Sequence, residues 1–441
     1  MPNLLKKTIL FLGDLSGLHL ALFLTLAIRY PLASLDHYWR SHWPIFGPVF
    51  FIWLLLIYIN SLYNLNWRVR SREFLNATGS VALLSVILSA LYFYLYAETD
   101  LAPKTNLIIF SLLFLVFFLI WRRLCQAALH SLLLKENLAL IGDNARTQKL
   151  LAELAAQPGA GYQIAWTSTR AEDLAALPDA IKNKNIHTVV VGDDFGDSRK
   201  ISAALFACLA DKINFFNYPD FYELLTGKIP VEEIGPDWFL TNLQEGRKNY
   251  FNFLKQAIDY AAALLILIIS LPGWPLIAGL IKLTSRGPVF FRQERLGRQG
   301  KRFLVTKFRT MRVENNDGLP TAPADERVTG FGAFLRSTRL DEIPQVLNIL
   351  AGEMSLIGPR PERPEIAEEL ARAIPFYLTR LLIKPGLTGW DQISGKYHST
   401  TIVDSLEKLQ YDLYYLKRRS IYLDISITLK TIATMLSRGG R

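Results

Sequence analysis

Asp341 and Glu342 stand side by side in "STRLDEIPQVLNILAGEMSLIGPRPE" (337–362), with Arg336 and Arg339 just before them and Arg360 in the closing turn. Adjacent carboxylates among cations suit phosphate chemistry. A guanidinium fork matches two phosphate oxygens. Carboxylates hold Mg²⁺, which keeps waters and shares substrate phosphates. An aspartate oxygen can also attack phosphorus and form an acyl phosphate, dividing one transfer into two steps. The basic stretch "RGPVFFRQERLGRQGKRFLVTKFRTM" (286–311) supplies more cations. Lys307 and Arg309 of "KFRTM" join Arg336 and Arg360 as candidates for binding phosphate. Alone, an Asp-Glu pair at a helix start is a cap, and a basic stretch is solvated or lipid-facing surface. It is their company that argues for chemistry.

A helix start must position the two acids. Thr338 reads as its N-cap, and Leu340, Ile343, Leu347 and Leu350 recur at helical spacing. Pro344 is tolerable only near a helix start, which puts Asp341 and Glu342 in or near the first turn, where anions are favoured. Neighbours on a helix point about 100° apart, so the two acids divide the work, one attacking and one holding metal.

The rest of the chain places this site at a membrane. Of 441 residues, 51% are hydrophobic, and the net charge is +10. Excess positive charge beside apolar runs suits an anionic bilayer or anionic substrates, and no nucleic-acid partner is expected. Two cysteines, Cys125 and Cys208, give no disulfide framework and no zinc cluster, and both read as small buried hydrophobes. Four apolar runs, at roughly 8–28, 44–63, 77–97 and 106–121, are long enough to span a bilayer. Tyr30, Trp39, Trp43, Tyr63, Trp67 and Trp121 crowd their ends. The first run lacks a small-residue cleavage site and more runs come after it, so it does not read as a cleavable signal. Lys6 and Lys7, then Arg68, Arg70 and Arg72, then Arg122 and Arg123, outweigh Lys104 in the third loop and put both ends of this region in the cytoplasm. Asp14 inside the first run is a functional candidate, but near the run's end it reads as reaching the interface.

From Asn137 the texture changes. "LALIG" (138–142), "YQIAWTS" (162–168) and "HTVVVGDD" (187–194) read as strands with helices between them, a parallel α/β layer. After the first strand only Gly142-Asp143-Asn144 stands where a phosphate-cradling GxGxxG would be. A degenerate Rossmann-like module with a structural or regulatory role is expected. Residues 257–281 form a fifth apolar run, broken by Pro272 and Pro275 around Gly273-Trp274. Both flanks are basic, Arg247, Lys248 and Lys255 before it and Lys282, Arg286, Arg292, Arg295 and Arg298 after it. That pattern favours a re-entrant helix bending at Pro272 over a fifth span.

"GPVFFRQ", "KFRTM", "LDEIPQVLNILAGEMSLIGPRPE" and "KPGLTGWDQISG" together resemble the bacterial polyprenyl-phosphate hexose-1-phosphate transferases, in their long form. The resemblance implies transfer of hexose-1-phosphate from a UDP-sugar to undecaprenyl phosphate, releasing UMP, in O-antigen, capsule or exopolysaccharide synthesis. It makes Asp341 the nucleophile, makes Glu342 and Asp341 the Mg²⁺ ligands, and assigns Lys307, Arg309, Arg336 and Arg360 to phosphates. It implies the bacterial inner membrane, a cytoplasmic catalytic domain and a possible homodimer. It leaves open whether glucose or galactose is carried.

The expected fold is α/β with membrane helices. Residues 1–130 form a four-helix transmembrane bundle and 131–245 a Rossmann-like α/β module. Residues 246–441 form a mostly helical catalytic domain with a re-entrant membrane helix at 255–282. "YHSTTIVD" (397–404) reads as a loop over the site, and the two helices after it as interfacial or as ordinary packing. The competing function is a membrane-tethered nucleotide-sensing regulatory protein, which would want an intact glycine-rich loop after "LALIG". A transporter would want several polar intramembrane groups, where the sequence shows Asp14.

Overall fold

The apolar runs become long helices, which pair every backbone group internally and so tolerate a medium without water. They are α1 (Pro2–Arg29), α2 (Leu35–Ile59), α3 (Arg72–Leu95) and α4 (Pro103–Ser131). By length and composition each is apolar enough to cross a membrane, as is the helical stretch Asn249–Thr284, which marks a membrane protein. This computed structural model describes residues 2–60, 62, 63, 69, 71–95, 103–131, 135–142, 144–157, 160–169, 171–192, 198–211, 213–243, 245–312, 325–394 and 401–436. Trp67, Arg68, Arg70 and residues 397–400 of the expected 397–404 loop therefore lie outside the described residues, while 402–404 already belong to a helix. The chain divides into two units, residues 1–221 and 222–441.

In the first unit α1 and α3 each pack on α2 and α4. Leu18, Leu22, Phe46, Trp53, Phe110 and Phe114 fill the interior, with the Trp53 and Phe114 rings edge-on at 5.0 Å. The helices also enclose charge. Asp14 is fully buried, and the Arg122 guanidinium reaches its Oδ2 at 2.6 Å. Asp14 thus turns inward instead of reaching the interface, because an unpaired carboxylate among these side chains would be far costlier than a paired one. Arg122, counted with Arg123 after the fourth run, lies inside α4, which continues to Ser131. Its guanidinium lies over the rings of Tyr63 and Phe118. At the other end Arg29 donates to Asn106 Oδ1 at 2.9 Å, and Asn106 meets His42. The interior of these helices holds more polar groups than the sequence alone suggests.

The same unit continues as β1 (Glu136–Ile141), α5 (Ala145–Ala156), β2 (Tyr162–Ser168), α6 (Leu177–Asn183), β3 (Ile186–Val191), α7 (Ser198–Ala207) and β4 (Asn214–Asn217). The strands form one parallel sheet in the order β2-β1-β3-β4. The expected strands are present, and β4 adds an edge that "NFFN" is too short to announce. The first βα turn closes on itself. Asn144 and Thr147 exchange side-chain and backbone hydrogen bonds at the start of α5, and Asn144 Nδ2 donates to Gly192 O at 3.1 Å.

α8 (Tyr218–Thr226) leads to the second unit, followed by α9 (Pro236–Asn242), α10 (Asn249–Ser270) and α11 (Trp274–Thr284). A 3₁₀ turn, Leu271–Gly273, joins the last two and contains Pro272, so α-helical pairing lapses at the proline within one continuous helical stretch. Ser270 Oγ accepts from Trp274 Nε1 at 3.2 Å across the break. β5 (Phe290–Leu296) and β6 (Arg302–Phe308) make an antiparallel hairpin. Next come α12 (Gly330–Ser337), a 3₁₀ turn at Leu340–Gln345, α13 (Val346–Leu350), β7 (Ser355–Ile357), α14 (Pro364–Ala373), a 3₁₀ turn at Tyr377–Leu382, β8 (Gly386–Thr388) and α15 (Trp390–Ser394). α16 (Ile402–Arg418) and α17 (Ile421–Leu436) finish the described chain. α16 buries Leu409, Leu413, Tyr415 and Leu416 in the core, which is ordinary domain packing.

Candidate active site

β6 is the platform. Asn348 on α13 fastens to it, its Nδ2 donating to Leu304 O at 2.7 Å and its Oδ1 accepting from Thr306 N–H at 3.2 Å. The 3₁₀ turn preceding α13 is thereby fixed beside Lys307 on β6. This turn carries Asp341 and Glu342, as the sequence suggested, but its start differs. Thr338 ends α12, its hydroxyl donating to Phe334 O at 2.8 Å. The turn opens instead at Arg339, in the left-handed region at φ 54°. Three residues per turn, rather than 3.6, rotate the helical positions beyond it. Val346 and Ile349 are the fully buried positions, and Leu347 is exposed, so the expected apolar stripe is shifted by one.

Both acids are 9% exposed, yet their surroundings differ. Glu342 Oε1 accepts from Lys307 Nζ at 2.7 Å and Arg360 Nη2 at 3.0 Å, and its Oε2 lies 3.7 Å from Arg339 Nη1. Burial would raise this carboxyl, but Arg360 and Lys307 outweigh it and hold Glu342 well below the usual carboxylate range. Among the described residues none hydrogen-bonds to the Asp341 carboxylate. Burial first, and Glu342 second, push Asp341 up to about 6 against the pull of Lys307, Arg336 and Arg360. Burial also lowers Lys307 from the ordinary lysine value, with Glu342 opposing. Arg336 is aimed by Thr310, whose hydroxyl accepts from its Nε at 2.8 Å.

The structure brings together Lys307, Arg336, Asp341, Glu342 and Arg360 and adds Arg339. Arg309 is not among them. β6 ends at Phe308, so the strand alternation that would put Arg309 beside Lys307 lapses one residue too early. Its Nη2 donates instead to the carbonyl and hydroxyl oxygens of Ser285, at 2.7 and 3.0 Å, just past α11. Pro272 belongs to the helix break.

Arg360 rides on a turn set by backbone proximity. β7 and β8 pair in parallel, and a Cβ on Gly386 would lie 2.1 Å from Gly358 N. Only glycine fits there, which gives the "GPRPE" and "KPGLTG" motifs a shared reason. Behind β7, Asp259 of α10 accepts from Ser355 Oγ at 2.7 Å and Leu356 N–H at 3.3 Å. Lys255 of α10 reaches Asp424 of α17 at 2.8 Å. The sequence alone gives Arg339 no role and does not point to Asn348 or Asp259. Arg339 is adjacent to the acids, but the other two act on elements that lie far away along the chain.

Among the described residues no cluster of three or more His, Cys, Asp or Glu forms a metal-ligand set. What the site offers a cation is hard oxygen, the unbonded Asp341 carboxylate and Glu342 Oε2. That suits Mg²⁺, which binds through one or two carboxylates and fills its shell with water and phosphate.

Comparison with known proteins agrees with this arrangement. Residues 250–438 match the bacterial sugar transferase family. The chain is 36% identical over 273 residues to a UDP-glucose:undecaprenyl-phosphate glucose-1-phosphate transferase of Xanthomonas campestris pv. campestris, covering 59% of this chain and 55% of that protein. It is 33% identical over 311 residues to the protein of the same description from Escherichia coli (strain K12), covering 68% and 67%. It is 35% identical over 235 residues to a UDP-N-acetylgalactosamine-undecaprenyl-phosphate N-acetylgalactosaminephosphotransferase of Aeromonas hydrophila, covering 53% and 55%. The matches thus span little more than half of two of these relatives. The family match takes in the acids, the cations that flank them and the motifs around both, and the chain belongs to the bacterial sugar transferase family, among the polyprenyl-phosphate hexose-1-phosphate transferases.

Proposed function

We propose that this protein transfers a hexose-1-phosphate from a UDP-sugar to undecaprenyl phosphate and releases UMP. A carboxylate oxygen of Asp341 attacks the β-phosphorus. The bond from that phosphorus to the bridging oxygen breaks, and UMP leaves with the electron pair. An oxygen of the lipid phosphate then attacks the same phosphorus, the acyl-phosphate bond breaks, and Asp341 is free again. The observation that carries this reading is the asymmetry of the pair. Glu342 is tied to Lys307 and Arg360, while Asp341 is buried, poorly solvated and free of hydrogen bonds among the described residues. Arg336, Lys307 and Arg360 stand near enough to steady developing phosphate charge. Asp341 and Glu342 would hold Mg²⁺, which supplies charge neutralisation on the phosphate oxygens.

We further infer that α10 and α11 dip into one leaflet and return, with α1 to α4 crossing the bilayer as a bundle. Support comes from the two ends of the run. Lys255 and Asp259 bond to Asp424 and Ser355, and Ser285 to Arg309, all within the second unit. A crossing helix would leave one end on the far side of about 30 Å of hydrocarbon. Between those anchors Ile269 is 71% and Leu283 83% exposed, surface that lipid would cover. Basic flanks favour the cytoplasmic face of the inner membrane, where UDP-sugars are found.

The test is a panel of UDP-sugars offered to the purified protein with undecaprenyl phosphate and Mg²⁺, read as UMP release. Donor labelled at the β-phosphate, quenched without acceptor, is expected to leave label on the polypeptide, and Asp341→Asn to abolish both label and turnover. Turnover without any trapped label, or an active Asp341→Asn, would overturn the covalent route. The sugar emerges from the panel, since the relatives' names include both glucose and N-acetylgalactosamine.

A further inference from the structure

Gly358–Arg363 has neither helix nor strand, and Pro359 and Pro361 remove two backbone donors. Nevertheless four consecutive carbonyls of this turn are caught. Pro359 O accepts from Gly386 N–H at 2.9 Å, and Glu362 O from Leu296 N–H at 3.0 Å. Between them Arg360 O accepts from Arg380 Nη2 at 3.1 Å, and Pro361 O from Arg295 Nη1 at 3.2 Å. Side chains therefore do for two of these carbonyls what a sheet ladder would do elsewhere.

Arg380 has the stronger claim on the turn. It is 3% exposed, on the 3₁₀ turn Tyr377–Leu382. Its Nη1 donates to the Tyr377 hydroxyl at 2.6 Å, its Nη2 meets Asp412 Oδ2 of α16 at 2.8 Å, and its Nη1 lies 3.8 Å from Glu362 Oε1. Three oxygens of different elements converge on one planar fork, which a lysine cannot reproduce. By contrast the Arg360 side chain is 42% exposed, so little besides its backbone and Glu342 fixes where its guanidinium goes.

We propose that Arg380 is a positioning residue for Arg360: by gripping the Arg360 carbonyl and the Glu362 carboxylate from behind, it aims the Arg360 guanidinium at Glu342 and the phosphate site. Arg380 touches no substrate, and its charge is matched by Asp412 and Glu362. Supporting groups of this kind typically change activity by about 10–100-fold when removed. The kinetic part of this inference rests on the transferase reading, and the structural part does not.

The experiment uses the full-length protein with Arg380→Met, and Arg380→Lys as the variant that keeps the charge. Amide exchange over residues 355–366 needs no substrate. It is expected to quicken about tenfold or more in Arg380→Met, less in Arg380→Lys, with exchange in β6 unchanged. Unchanged exchange over 355–366 would overturn the grip. The kinetic arm is a double-mutant cycle with Arg360→Ala. Arg380→Met is expected to lower kcat/KM at least tenfold when Arg360 is present and less than twofold when Arg360 is Ala. Equal losses in both backgrounds would overturn action through Arg360. A wild-type protein that releases no UMP sinks the transferase reading and leaves the exchange result to decide the grip.

Discussion

Two buried meetings of carboxylate and cation in this chain serve opposite ends. Between α1 and α4, one acid, Asp14, meets one base, Arg122, with side chains 0% and 4% exposed and aromatic rings around them. Charge is balanced one to one there, although Asp14 Oδ1 and Arg122 Nε have no hydrogen bond among the described residues. Beside β6, two acids face Lys307, Arg336, Arg339 and Arg360, and one acid has no hydrogen bond among the described residues. Positive charge is in excess there, which under the proposed function would be met by substrate phosphate. A balanced pair fixes helices, while an unbalanced cluster is what the proposed phosphate transfer would need.

Breaking the unbalanced cluster should have the largest effect on turnover. Glu342→Gln removes the anchor for Lys307 and Arg360 and a metal oxygen, and should lower kcat/KM by a factor on the order of 10³ in the UMP assay. A loss below tenfold would mean that the cations hold their places without it. Acid should act next. In the proposed mechanism Asp341 must be ionised to attack, and burial and Glu342 push it up to about 6, so turnover should fall about tenfold per pH unit below that value, measured as kcat/KM from pH 4.5 to 8. The sign for stability is the reverse. The folded value lies above the ordinary 3.8, so the folded chain binds this proton more tightly. Its stabilising effect is fully present below 3.8 and is lost as pH rises through about 6.

The balanced pair should matter least to turnover. Asp14→Asn strands Arg122, and losing one partner of a buried pair costs about 3–5 kcal/mol, read as a lower Tm in detergent. Per folded molecule, UMP release should change less than twofold. Asp14→Leu with Arg122→Met should regain much of that stability, since both charges leave together. If Asp14→Asn instead lowers kcat as strongly as Glu342→Gln, the contrast between the regions is lost.

How much of this is legible in the sequence depends on the range of the interactions. Asp341, Glu342, Lys307 and Arg360 can be named from residue type and motif, and Pro272 from its effect on any helix. The apolar runs announce helices by length. Local rules mislead where they meet a tertiary event. Thr338 has the chemistry of an N-cap but ends α12, because Arg339 turns left-handed just after it. Arg309 has the spacing to join Lys307, but the strand stops at Phe308. Asp14 reads as interfacial and Arg122 as a charge just past the fourth run, yet they find each other 108 residues apart. Asn348, Arg380 and Asp259 carry no local signal, since each works on an element distant along the chain.

The middle of α10 is tied to the strand that leads to Arg360. Asp259 grips Ser355 and Leu356, and the chain runs from there through a three-residue strand to Arg360. Any displacement of that helix relative to β7 would have to pass through these two hydrogen bonds, four residues before the guanidinium that meets Glu342.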